Sequence, residues 1–164
     1  MPAGKTYTPL ARTTLSSAAA TVTFNSISGS YTDLVLIING YDIDGNGYLT
    51  MQFNGNTGSN YSRTTLSGNG STTTSIRNSN STVLYPTIGP SLTNIGGDII
   101  HFLNYSNTTT NKTVLFRGSQ TGNATIAQVG LWRNTSAITS ISLSAASGNI
   151  AAGSTFTLYG ILAA

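Results

Sequence analysis

The residues closest to a chemical motif are Asp42-Ile43-Asp44-Gly45-Asn46-Gly47. Oxygen ligands at positions one, three and five, with glycine at six, form the first half of an EF-hand loop. The twelfth position, where a bidentate glutamate closes such a loop, is Phe53. The flanking runs alternate as strands do, not as helices. Two readings stand: a tight hairpin built on Asp44-Gly45 and Asn46-Gly47, and a weak Ca²⁺ site using oxygens of Asp42, Asp44 and Asn46. The hairpin is the simpler, because it explains the same residues without a metal.

His101 is the only histidine. In an extended strand it shares a face with Ile99 and Leu103, and Asp98 points the other way. A general base needs an orienting carboxylate and a nucleophile within reach. One histidine without cysteine or glutamate partners makes a poor metal centre. A hydrogen-bonded structural role is expected. Asp42 and Asp44 give no acid/base asymmetry for glycoside hydrolysis, and no GxxxxGK[ST] loop is present. The expectation is a protein without catalytic residues or cofactor. Tyr61 and Trp132, set among abundant asparagine, are candidate glycan contacts. Equally, they are aromatics that pack with a satisfied polar tip.

These few residues sit in an unusual background. Ser, Thr, Asn and Gly make up 82 of 164 residues, and glutamate and cysteine are absent. Charged residues are 7% of the chain, against about 25% in ordinary domains. Helix formers are scarce, which argues for strands. With 38% apolar residues and a net charge of +3, the chain is too hydrophobic and too weakly charged for disorder. The seven cations are spread singly, so no nucleic-acid surface is expected. No cysteine framework is available. No apolar run is long enough to span a membrane, and no signal peptide is read at MPAGKTYTPL.

The elements that must carry these residues read as short strands. The runs are Thr21–Ile27, Asp33–Asn39, Tyr48–Asn54, Tyr61–Leu66, Thr82–Thr87, Asp98–Tyr105, Lys112–Arg117, Thr125–Trp132, Ile138–Leu143 and Thr155–Leu162. Phe156 and Leu158 face one way in the last run, so deleting Thr155–Ala164 should prevent folding. Leu34–Ile38 is continuously apolar, which implies cover on both faces. Residues 67–81 read as an exposed Ser/Thr/Asn/Gly loop. Leu10–Ala20 is ambiguous between helix, strand and coil, and residues 1–20 form a candidate extended N-terminal arm. The expected fold is one all-β domain over residues 1–164: an antiparallel β-sandwich, jelly-roll-like, of about 8–10 strands. Its edges have little charge or proline to guard them, so self-association is expected.

Four segments carry a resemblance. TYTPLARTTLSSAAATVTFNSISGSYTDLVLI (Thr6–Ile37), LTMQFNGNTGSNYS (Leu49–Ser62), IIHFLNYSNTTTNKTVLFRG (Ile99–Gly118) and ITSISLSAASGNIAAGSTFTLYGI (Ile138–Ile161) resemble a group of tailed-bacteriophage virion structural proteins. The resemblance implies a non-enzymatic assembly component. It would be a capsid decoration (cement) protein that binds the major capsid protein and stabilises the head shell. The alternative is a receptor- or carbohydrate-binding module on a tail or fibre. It implies a virion location and a homo-oligomer, with a trimer expected from capsid geometry.

Overall fold

A computed structural model describes residues 6–41, 43, 48–86, 96–120 and 125–162. Among them there are eleven strands and no helix, hence none long and apolar enough to cross a membrane. The strands are β1 (Tyr7–Thr14), β2 (Thr21–Phe24), β3 (Asp33–Tyr41), β4 (Leu49–Phe53), β5 (Tyr61–Gly68) and β6 (Thr73–Ser81). They continue as β7 (Gly96–Leu103), β8 (Lys112–Gln120), β9 (Thr125–Trp132), β10 (Ile141–Ala145) and β11 (Thr155–Ile161).

Strand formation follows period-two chemistry. In β9, Ile126, Gln128, Gly130 and Trp132 are buried, and the residues between them are exposed or half-buried. β11 alternates in the same way, with Phe156 and Leu158 inward. β2, β4 and β10 present Val22, Phe24, Leu49, Met51, Phe53, Ile141 and Leu143 to one side.

These strands pair into two antiparallel sheets. One has eight strands in the order β1-β11-β3-β7-β8-β9-β5-β6, and the other has three in the order β2-β10-β4. The inward residues of the small sheet meet Leu34, Leu36, Ile38, Ile100, Phe102, Val114, Phe116, Phe156 and Leu158 from the large one. The expected all-β sandwich is therefore present, with its layers unequal. β11 lies inside the large sheet between β1 and β3, which supports the expected loss of folding when it is removed.

Four sequence expectations change. Residues 67–81 are not a loop but the end of β5, a turn closed by an Asn69–Thr72 backbone bond, and β6. β6 is exposed at every residue except the half-buried Ser81, so it leaves no apolar pattern to read. Residues 7–14 form β1, paired with β11, and not an arm. Thr82–Thr87 is not a strand where described: Leu84 alone bridges to Met51. Finally, β3 and β4 belong to different sheets. The two strands therefore do not pair with each other as the arms of the expected hairpin; Asp42, Asp44, Gly45, Asn46 and Gly47 themselves lie outside the described residues.

Candidate functional site

His101 and Asp33 come together on the face of the large sheet that points away from the small one. His101 Nε2 lies 3.2 Å from Asp33 Oδ2, the only ion pair among the described residues. Asp33 Oδ1 also accepts a 2.6 Å bond from the amide of Asn104. Asp33 opens β3 and His101 sits in the next strand, so sheet register places them on one face. Their separation of 68 residues hid the pair from sequence reasoning. None of the hydrogen bonds of the described residues joins His101 to a hydroxyl. The arrangement is a carboxylate–imidazole pair that ties β3 to β7.

Tyr61 and Trp132 also come together, in register across β5 and β9. Their rings stack at 6.3 Å, and Phe53 packs against both. Tyr61 is 0% exposed and Trp132 1%, so neither ring offers a sugar an accessible face. The Tyr61 hydroxyl accepts from the Phe53 amide and donates to the Asn56 carbonyl. Burial raises its pKa, partly offset by the Phe53 bond. The Trp132 indole N–H is buried without a hydrogen-bond partner. Trp132 also borders a polar recess of about 490 Å³ lined by Asn54, Asn56, Thr57, Asn134 and Ser136.

Asp42, Asp44 and Asn46, the Ca²⁺ candidates, lie outside the described residues. Among the described residues no group of three His, Cys, Asp or Glu side chains could hold a metal ion.

Two cations, the buried Lys112 and the half-buried Arg63, do structural work. Lys112 is 1% exposed, and its Nζ donates to the carbonyls of Thr110 and Thr135 at 2.7 and 3.0 Å. Burial lowers its pKa. Arg63 donates to Tyr85 O, Gln128 Oε1 and Asn78 Oδ1, and its guanidinium lies 4.7 Å from the centre of the Tyr85 ring. This network ties the segment around Tyr85 to β5, β6 and β9.

The two outer faces of the sandwich differ in kind. The small sheet presents Thr21, Thr23, Thr50, Gln52, Ser142 and Ser144, with cross-strand hydroxyl bonds from Thr21 to Ser144 and Thr23 to Ser142. The large sheet presents rows rich in apolar residues, interrupted by His101 and Arg117 and bordered by Thr64 and Thr157. One row runs Tyr159, Val35, His101, Leu115 and Val129 across five strands. The next runs Ile37, Ile99, Arg117, Ala127 and Leu66. Leu66 is 58% exposed, Val129 51% and Ile99 40%. Antiparallel sheets normally turn polar residues to water on their open face; the small sheet does so, and in the large sheet the edge strand β6 does so while the central strands carry the apolar side chains. Continuity of Leu34–Ile38 predicts cover on both faces. Val35 is indeed 4% exposed, whereas Ile37 beside it remains half-buried.

No protein-family model matches this chain, and no curated protein matches it.

Proposed function

We propose that this chain is a non-enzymatic structural protein of a tailed-phage virion, a decoration protein that binds and stabilises the head shell. The observation that supports it most is the apolar outer face of the large sheet. Contiguous exposed apolar surface of that extent marks an interaction site on a soluble domain. The segments resembling phage structural proteins supply β1, β2, β4, β10 and β11 whole, most of β3, β7 and β8, and the first two residues of β5, so the resemblance concerns the scaffold. The opposite, hydroxyl-lined face gives the molecule a second contact surface, as a component between neighbours requires.

A second reading, a glycan-binding module on a tail or fibre, is favoured by the asparagine-lined recess beside Trp132. Amide groups suit hydroxyl recognition, although the buried rings of Tyr61 and Trp132 do not offer stacking.

Cryo-electron microscopy of purified virions tests both. The proposal expects the chain at regular icosahedral positions on the head. Density confined to tail or fibre would favour the second reading, and virions lacking the chain would end both.

A further inference from the structure

We infer that two copies of this chain pack face to face through the outer surface of the eight-stranded sheet, across a two-fold axis lying in the interface beneath His101. The inference names one partner of the assembly component proposed above, and it holds equally for a head or a tail location. It yields a closed pair in place of the trimer expected from capsid geometry.

The area suffices. The face runs from β11 to β5, six strands at about 4.8 Å spacing, over three alternate positions at about 6.8 Å: the two rows above and a third holding Ile161, Asp33, Leu103, Thr113 and Leu131. That is roughly 600 Å² a side, or roughly 1,200 Å² for the pair, at the lower bound of specific interfaces. The exposed fractions of Leu66, Val129 and Ile99 show that the fold itself leaves this surface uncovered.

Charge placement selects a second copy. In the central part of the face, Arg117 is the one cation with an always-charged side chain and Asp33 the one acid. Arg117 lies two residues beyond Leu115 on β8, and Asp33 two residues before Val35 on β3. Leu115 and Val35 both pair with His101. The two charges are therefore placed symmetrically about His101, two strands and four residues apart. That is about 17 Å by ordinary sheet spacing, too far to pair within one copy. A two-fold axis in the interface, bisecting the Arg117–Asp33 line at His101, sets each Arg117 over the other copy's Asp33. Arg117 then gains a carboxylate, Asp33 gains a guanidinium beside the His101 it already holds, and the residues between them are mainly apolar. Such an isologous contact closes on itself.

Sedimentation velocity on the purified chain tests the pairing. The wild type is expected to be a dimer that dissociates in the micromolar range. Arg117→Asp sets acid against acid and should weaken it at least tenfold, and adding Asp33→Arg should restore it. Asp33 also holds the Asn104 amide, so circular dichroism must first show that the double variant folds. Val129→Asp, at an exposed position, provides a second variant and should also weaken the dimer at least tenfold. Thr23→Asp, on the opposite face, should leave it unchanged. A wild type that stays monomeric throughout the micromolar range overturns the inference. So does a dimer whose affinity neither Arg117→Asp nor Val129→Asp changes.

Discussion

At the scale of single residues, this protein satisfies its backbone with uncharged groups. Asn54 holds a positive φ of 52°. Its Oδ1 accepts from Thr139 N, Thr139 Oγ1 and Ser140 N, and its Nδ2 donates to Ala137 O. Asn107 Oδ1 accepts from the amides and hydroxyls of Thr109 and Thr110. Asn69 Oδ1 accepts from the amides of Ser71 and Thr72 and from the Thr72 hydroxyl. The Ser/Thr/Asn richness is thus partly loop chemistry, in which a side-chain oxygen replaces a missing ladder bond. Charged groups join in at a few places, among them Asp33, Arg63 and Lys112, the last a buried charge placed where two carbonyls need a donor. Lys112→Met should strand both carbonyls and cost about 2–4 kcal/mol, read as a lower midpoint in urea unfolding with an unchanged slope.

At the scale of elements, close approach sets the limits. Gly160 in β11 lies under the Tyr31 ring, and a Cβ there would sit 2.5 Å from ring carbons. Gly160→Val should overpack this site and cost about 2–3 kcal/mol, measured by chemical denaturation. A stability within error of wild type would show that Tyr31 moves aside freely. The sequence made β9 and β11 legible because each has one wet and one dry face. It concealed β6, whose only apolar residue, Ile76, is 50% exposed; that strand exists through pairing with β5 and buries almost nothing. The turn signal at Asp44-Gly45 located a connection but could not say which sheet the next strand joins. That is decided by the core, which draws Leu49, Met51 and Phe53 into the opposite layer. The Asp33–His101 pair was illegible for a related reason: β3 and β7 become neighbours only after β4, β5 and β6 have been placed elsewhere.

At the scale of the whole molecule, the buried tyrosines set the alkaline limit. Tyr61 and Tyr105 both have pKa values raised by burial above the ordinary 10.0. Tyr105 donates to the Ser28 carbonyl. Above pH 10 the unfolded chain releases protons that the folded chain keeps, so stability falls as pH rises. The Lys112 shift acts oppositely, its cost fading as pH approaches the ordinary lysine value of 10.5. Urea titrations above that value should show a midpoint that decreases with pH, and a flat profile would contradict the burial of both hydroxyls. The sandwich itself was visible in the sequence, but the character of its faces was not. Strand periodicity separates two sides and does not say which side a second sheet will cover. One further property follows from the pairing of Tyr7 with Ile161. Chain leaving the domain before Tyr7 and after Ile161 departs from the same end of two adjacent antiparallel strands. A pull applied through those two points peels β1 from β11 one hydrogen bond at a time and does not shear the whole ladder at once. Tethered by both ends, the domain would give way like a zipper; held by one end, it would carry no tension.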